Sequence, residues 1–229
     1  VENSPFTILT TGNAEGSGLT GATINGLING HPIGSFYMKE FMGIGSDGLS
    51  IFREPDVPDT DDRRVVGSAL PDMMYNFYLN LNYKRFDLGI NFNGVAGNKI
   101  YDNTATNKFY KAKLANSLNT TDAAIEYPEE SIINSSTIST RYLKDGAFLR
   151  LNNATLSYNF NTGLMGISNT IKEMRLSLTG QNLFVITDYD GFDPEVNQDR
   201  SIAGIQSFGI DLNGYPKART FVVGLNVSF

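Results

Sequence analysis

Hydrophobic and polar residues alternate along residues 219–229 of the chain. One parity holds only apolar side chains, which are Phe221, Val223, Leu225, Val227 and Phe229. A period of two predicts a β-strand with one apolar face. The phenylalanines at its ends lie eight residues apart, which at roughly 3.3 Å per residue and a tilt of roughly 40° spans on the order of 20 Å. That height suits the lipid-facing band of an outer-membrane barrel, although the closing strand of a soluble β-sandwich alternates in the same way.

The same alternation predicts a hairpin at residues 75–93. Apolar and polar side chains alternate on both sides of a link of only two residues, Lys84 and Arg85. So short a link requires the two strands to be antiparallel neighbours. The polar parity carries asparagines rather than lysine and glutamate, which suits a wall around a hydrated interior and also the outer face of a sandwich.

Three further strands bring the predicted number to about six. They begin near Ser35, at Phe148 and at Met174, and the parity change near Asn152 and Asn153 predicts a β-bulge. Residues 1–34 show little periodicity and are interpreted as a connector. Six strands are too few to close a membrane barrel and would leave unpaired edges in lipid. The chain is therefore predicted to be part of a longer barrel, or to be completed by another chain.

The connections between these strands alternate between long and short. The long ones cover 45–73, 97–147 and 188–217, whereas the short ones cover 84–85 and 161–173. Short periplasmic turns on one rim and long extracellular loops on the other are typical of outer-membrane barrels. A sandwich has no reason for this asymmetry.

The composition weakens the case for an enzyme or a nucleic-acid binder. The chain has no cysteine and one histidine, His31, so thiolate and histidine sites have almost no ligands available. A formal charge of −6 provides no basic surface for phosphates. No run of 18 apolar residues predicts a membrane-spanning helix. The start of the chain lacks the pattern of a signal peptide, which indicates either another secretion route or a piece of a longer protein.

Five stretches of the chain, taken together, resemble a known family. They cover residues 30–44, 62–102, 145–160, 178–197 and 213–229. In this order they are similar to the C-terminal segment of SusC/RagA-type TonB-dependent outer-membrane transporters of Bacteroidetes. One departure is Arg85, where the family more usually has glycine at the turn.

The resemblance implies a large transmembrane barrel with a plugged lumen, of the 22-stranded class. Residues 1–34 are then a periplasmic connector and residues 35–229 the C-terminal part of the barrel, with the plug domain absent from this chain. The implied function is import of oligosaccharides or peptides across the outer membrane. The implied partners are a SusD-like surface lipoprotein, the TonB complex acting through the absent N-terminal region, the barrel-assembly machinery and outer-membrane lipid. No nucleic acid, cofactor or catalytic residue is expected.

Three sets of residues are candidates for functional roles. The predicted lumen-facing residues along a substrate path are Asn76, Tyr78, Asn80, Asn82, Asp87, Asn91, Asn93, Ser157, Asn159, Arg175, Ser177, Thr179 and Gln181. The predicted extracellular loop contacts are Tyr101, Asp102, Tyr189, Asp190 and Phe192. The resemblance makes Phe221, Val223, Leu225, Val227 and Phe229 a signal read by the assembly machinery.

Each of these roles has a competing interpretation. The polar residues also suit a wall that only hydrates the interior or hydrogen-bonds the plug. Asp188, Asp190, Asp193 and Glu195 are clustered, but their spacing departs from the EF-hand pattern, so no metal site is predicted. The alternative for the whole chain is a soluble or surface-attached β-sheet module for binding or adhesion.

Overall fold

The chain forms two compact units in a computed structural model that describes residues 1–2, 7–56, 58, 60–116 and 120–229. We call them the loop unit and the sheet unit. The loop unit comprises Val1–Asp72, Gly97–Gly146 and Tyr189–Tyr215. The sheet unit comprises Met73–Ala96, Ala147–Asp188 and Pro216–Phe229.

Strands make up most of the regular structure. In chain order they are β1 (Ile8–Asn13), β2 (Thr23–Ile28), β3 (Ser35–Lys39), β4 (Phe41–Ile44), β5 (Ser50–Phe52), β6 (Arg63–Ser68), β7 (Met73–Tyr83), β8 (Phe86–Ala96), β9 (Lys99–Asp102), β10 (Leu143–Asp145), β11 (Phe148–Asn159), β12 (Glu173–Thr187), β13 (Ile210–Asp211) and β14 (Thr220–Ser228). The helices are α1 (Asn103–Lys108) and short 3₁₀ turns at Lys111–Asn116, Asp122–Ile125 and Thr140–Tyr142. None of the helices among the described residues is long and apolar enough to cross a membrane.

The sheet unit is one antiparallel sheet in the order β14-β12-β11-β8-β7. Its register aligns apolar residues across all five strands, as in the row Leu81, Leu88, Leu156, Leu178 and Val223. Paired residues of neighbouring strands point to the same face. The apolar positions of the five strands therefore form one continuous apolar face. The register shifts between Leu151 and Asn153, which confirms the predicted bulge.

The register also shows from which end of the sheet each connection leaves. Met73 pairs with Ala96, and Phe148 pairs with Val95 and Thr187, so the long connections leave from one end of the sheet. The two-residue turn joins Tyr83 to Phe86 at the other end. The predicted separation of short turns from long loops is therefore present in the sheet.

The loop unit contains three small sheets, with orders β1-β2-β3-β6, β10-β9-β13 and β4-β5. Its core consists of fully buried side chains, including Ile24, Phe36, Met38, Tyr101 and Ile210. These residues come from segments far apart in sequence. The long connections of the sheet unit therefore fold together with the first 72 residues of the chain.

Two sequence interpretations differ from this arrangement. The strand predicted near Ser35 exists as β3, but it pairs with β2 and β6 and takes no part in the five-stranded sheet. Residues 35–38 are all buried, so β3 has no exposed face of the kind that a barrel wall requires. The predicted connector at residues 1–34 contains the hairpin of β1 and β2, and its residues 3–6 lie outside the described part of the chain.

Candidate functional site

The polar face of the five-stranded sheet brings together every residue predicted to face the lumen. The pairings link the five strands on the same parity. The members are Asn76, Tyr78, Asn80, Asn82, Asp87, Asn91, Asn93, Ser157, Asn159, Arg175, Ser177, Thr179 and Gln181. The structure thus places them on one continuous surface, whereas their role in a substrate path stays a prediction.

Asp87 is the centre of the hydrogen-bond network on this face. Its Oδ1 accepts from Asn82 Nδ2 at 2.5 Å, and its Oδ2 accepts from Asn159 Nδ2 at 2.8 Å. The guanidinium of Arg175 lies 3.3 Å from the same carboxylate. One carboxylate therefore links three strands, β7, β8 and β11, with a cation from β12.

Neutral side chains complete the polar face. Asn91 Nδ2 donates to Asn76 Oδ1 at 2.9 Å, and the hydroxyls of Thr155 and Thr179 lie 2.9 Å apart. Amides and hydroxyls both donate and accept hydrogen bonds. Such a surface suits weak contact with hydroxyl- or amide-bearing molecules and with water.

The sequence interpretation missed residues on this face, of which Arg150 is the most prominent. Its side chain is buried and donates to the side chain of Asn182. Asn182 has a φ of +52° and donates from Nδ2 to the Lys217 carbonyl oxygen at 2.7 Å. Arg150 precedes the bulge, which changes the parity of β11, so simple alternation assigned it to neither face.

The opposite face of the sheet is apolar, and the described residues leave much of it exposed. Phe221 is 66% exposed and Val223 is 71% exposed, and Leu225 and Phe229 are also exposed, while Val227 is half-buried. Large side chains on β7, including Phe77 and Leu81, are exposed as well. A contiguous apolar surface of this kind marks contact with lipid or with another protein.

A separate cleft of about 220 Å³ lies in the loop unit. Three of the five predicted loop contacts line it, namely Asp102, Asp190 and Phe192. The other two are buried: Tyr101 accepts a hydrogen bond from Thr106 Oγ1 at 2.8 Å, and Tyr189 donates to Asp211 Oδ2 at 2.6 Å. Both tyrosines are closed to a ligand, and Tyr189 holds Asp211, which lines the cleft.

Two buried carboxylates lie side by side in the cleft. Parallel pairing of β9 and β13 aligns Asp102 with Asp211, and their exposed fractions are 7% and 3%. Asp102 Oδ1 caps α1 by accepting from the Ala105 N–H at 2.7 Å. Burial raises the pKa of Asp102 to about 6; the Ala105 N–H opposes this shift, and the negative charges of Asp211 and Asp190 add to it.

The cations that line the cleft are already paired. Arg141 makes two hydrogen bonds of 2.7 and 2.8 Å to the buried carboxylate of Glu130, and Lys144 lies 2.9 Å from Asp190. Among the described residues, no group of three or more histidine, cysteine, aspartate or glutamate side chains is arranged to hold a metal ion.

Comparison with known proteins identifies the family. No family model matches the chain. TonB-dependent receptor P3 of Formosa agariphila is 31% identical over 89% of this chain, which covers 23% of that receptor. TonB-dependent receptor SusC of Bacteroides thetaiotaomicron is 28% identical over 75% of the chain and 16% of its own length.

Solved structures agree with these relatives. The RagAB peptide importer in its open-open state matches 91% of this chain and 24% of the solved chain, with a TM-score of 0.71 and 26% identity. The present chain therefore spans about a quarter or less of the proteins it matches. The predicted antiparallel barrel-type fold is confirmed, and so is the prediction that the chain is not an enzyme, because its relatives are receptors and importers. The chain belongs to the SusC/RagA family of TonB-dependent receptors.

Proposed function

We propose that this chain forms part of the wall of an outer-membrane importer. The observation that carries the proposal is the division of one sheet into an apolar face and a polar face that stay in register over five strands. The apolar face suits lipid, and the polar face suits a hydrated lumen. The names of the relatives support the same function.

The free edges of the sheet also fit a larger barrel. Within the described part of the chain, β14 and β7 each have one neighbour in the sheet, so the other edge of each strand is open to a further strand. Unpaired backbone groups are prohibitive in hydrocarbon, where no water replaces the missing partners. Further strands of the complete receptor, meaning the full-length family member that carries this chain, are proposed to cover both edges.

We place the loop unit on the extracellular side. The long connections that leave one end of the sheet contribute Gly97–Gly146 and Tyr189–Tyr215 to this unit. Long loops are extracellular in barrels of this type. Residues 1–34 fold into the same unit through β1 and β2. They are therefore proposed to be extracellular, in place of the periplasmic position expected from the sequence.

The proposed partners follow from the family. A SusD-like surface lipoprotein faces the loop unit, the TonB complex supplies energy through other parts of the receptor, and the assembly machinery recognises β14. The imported molecules are oligosaccharides or peptides. The alternative of a soluble adhesion module is less favoured, because Phe221, Val223 and their neighbours leave an apolar face open to solvent in the described chain.

Fractionation and uptake test the proposed function. Cells that produce the complete receptor are expected to hold it in the outer membrane, from which only detergent extracts it. Uptake of a labelled oligosaccharide or peptide is expected to require both the receptor and TonB. A receptor that is soluble and monodisperse without detergent contradicts the proposal, as does uptake that is unchanged when the receptor gene is deleted.

A further inference from the structure

Two cations lie at the turn end of the five-stranded sheet without a carboxylate beside them. Lys84 and Arg85 form the two-residue turn that joins β7 to β8. Among the described residues, neither side chain has a carboxylate oxygen within 4.0 Å. The nearest carboxylate in sequence, Asp87, is on the polar face, where side chains of β7, β11 and β12 hold it. The positive charge of the turn is therefore uncompensated, in a chain whose formal charge is −6.

The turn borders the apolar face of the sheet. The Lys84 ammonium lies 5.2 Å from the centre of the Tyr83 ring. Tyr83 pairs with Phe86, and Phe86 pairs with Tyr158, so the three rings share the apolar face. The ring centres of Phe86 and Tyr158 are 4.8 Å apart, and those of Tyr158 and Phe160 are 4.9 Å apart. At this end the apolar face therefore finishes in a row of aromatic rings with a cation beside it.

An open groove of about 610 Å³ lies beside these cations. Its lining comes from the turn, Lys84 and Arg85, and from residues 159–162 at the end of β11. The Asn159 N–H donates to the Arg85 carbonyl oxygen at 2.9 Å, which ties the two segments together. Lysine and arginine side chains supply N–H donors and no acceptor, and Phe160 adds an aromatic wall. The groove therefore suits an oxyanion that carries an apolar group.

The position proposed for the sheet in the membrane identifies this oxyanion. In outer-membrane barrels, aromatic residues border the apolar band at both interfaces with water. With the apolar face in lipid, the aromatic row at the turn end lies at the level of the lipid headgroups. This end carries the short connections, which are periplasmic in such barrels. A phospholipid of the periplasmic leaflet presents its phosphate there, with its acyl chains along the apolar face.

We propose that Lys84 and Arg85 bind the headgroup of an anionic phospholipid in the periplasmic leaflet, with its acyl chains packed on the row of Tyr83, Phe86 and Tyr158. This inference rests on the proposed function for the position of the sheet in the bilayer. The charged N–H groups donate to the phosphate oxygens. A zwitterionic headgroup carries its own cation, which offsets this attraction. The site therefore prefers a headgroup with net negative charge.

Quenching by brominated lipids reports which lipid lies beside a chosen residue. A fluorophore on Leu81→Cys reports from the apolar face near the turn, and one on Met73→Cys reports from the same parity at the other end of β7. Both native side chains are exposed. The complete receptor, with any other cysteine replaced by serine, is reconstituted in phosphatidylcholine vesicles that contain brominated phosphatidylglycerol or brominated phosphatidylethanolamine.

The two labels are expected to differ. At residue 81, phosphatidylglycerol is expected to associate about tenfold more strongly than phosphatidylethanolamine, because each cation near the membrane surface contributes a few-fold. At residue 73, no such preference is expected. Equal association of the two lipids at residue 81, or the same preference at residue 73, overturns the inference.

Variants assign the preference to the turn. Lys84→Asn with Arg85→Gln removes both charges, and asparagine tolerates the φ of +56° at residue 84. This double variant is expected to abolish the preference at residue 81. The matched control is Lys108→Gln with Lys113→Gln, which removes two lysines of the loop unit, one of which also lies over a tyrosine ring. A preference that survives the turn variant, or that the control removes equally, overturns the assignment.

Salt provides a readout that needs no change in the turn. The preference at residue 81 is expected to fall between about 0.05 M and about 1 M salt, because ions screen exposed charges. A preference that salt leaves unchanged contradicts a charged site. Labels that neither brominated lipid quenches would contradict the proposed position of the sheet in the membrane. Labels that both lipids quench equally would contradict this inference alone.

Discussion

Asp102 and Asp211 occupy paired positions of a two-residue parallel ladder, and both carboxylates are buried in the loop unit. Asp211 is held by the Tyr189 hydroxyl and by the Gly214 N–H at 3.1 Å. Asp102 accepts the Ala105 N–H at 2.7 Å. Burial, together with the negative charge of Asp211, disfavours ionisation of Asp102. Asp102 therefore makes the loop unit sensitive to pH.

The pH dependence has a defined sign. The pKa of Asp102 is about 6 in the folded chain, above the value of an exposed aspartate. The folded chain thus binds the proton more tightly than the unfolded chain, and the free energy of unfolding falls as pH rises from about 4 to about 6. The shift corresponds to about 3 kcal/mol. Hydrogen exchange at residues 99–106 in the complete receptor, corrected for intrinsic rates, is expected to show weaker protection at pH 7 than at pH 5.

Asp102→Asn is expected to remove this dependence and to raise protection at pH 7. The amide oxygen still caps α1, and no charge is buried. Asp56→Asn at an exposed site is the control and is expected to leave the dependence unchanged. Equal protection of the wild-type chain at pH 5 and pH 7 would contradict the raised pKa of Asp102.

The buried ion pair of Arg141 and Glu130 stabilises the wall of the cleft. The exposed fractions of the two side chains are 6% and 1%. Glu130→Ala leaves a buried guanidinium without its partner, which is expected to destabilise the loop unit by about 3–5 kcal/mol. Limited proteolysis of the complete receptor measures this as faster cleavage between residues 97 and 146. The double variant Glu130→Leu with Arg141→Met is expected to restore resistance to the protease. Resistance equal to wild type in the single variant Glu130→Ala would contradict the stabilising role of the ion pair.

Leu79 and Asn80 are neighbours in β7 that point to opposite faces of the sheet. Arginine at Leu79 is expected to cost about 2–4 kcal/mol if that residue lies near the middle of the bilayer. Arginine at Asn80 lies on the polar face and is expected to be tolerated. The yield of heat-modifiable, folded receptor in outer membranes measures both. Similar yields for the two variants would argue against lipid contact at Leu79.

Gly94 in β8 accommodates the ring of Tyr75, whose hydroxyl donates to the Phe148 carbonyl oxygen at 2.8 Å. A Cβ at Gly94 would lie 2.3 Å from that oxygen and 2.4 Å from the ring. Gly94→Ala is therefore expected to destabilise the receptor by about 1–3 kcal/mol through overpacking. The control is Gly163→Ala, where the nearest atom is 3.4 Å away. The measurement is the thermal midpoint of the receptor in detergent, and equal midpoints for both variants would disprove the packing role.

The sequence predicted the sheet unit well because a period of two is a local property. Each strand shows its own apolar parity, and short links such as Lys84 and Arg85 determine which strands are neighbours. The parity change at Asn152 and Asn153 predicted the bulge, but it left Arg150 unassigned. A strand pattern alone does not show to which face a residue beside a bulge belongs.

The loop unit was not predictable in the same way. Its pairings are short and join distant segments: β9 pairs with β13, which lies more than a hundred residues later. β3 is buried on both sides, so it shows no alternation between exposed and buried residues. Asp102, the last residue of β9, and Asp190 both line the cleft, and their role as extracellular contacts stays a prediction. Their position in one cleft depends on tertiary pairing that no local pattern encodes.

The central claim is that β14 has one face in lipid and the other in a hydrated lumen. The chain contains no cysteine, so single cysteines at residues 220–228 place unique thiols in this chain for spin labels. In the complete receptor in membranes, we predict that labels at 221, 223, 225 and 227 are accessible to oxygen, while labels at 220, 222, 224, 226 and 228 are accessible to a water-soluble nickel reagent. Accessibility that fails to alternate along the strand, or alternates in the opposite phase, would contradict the account.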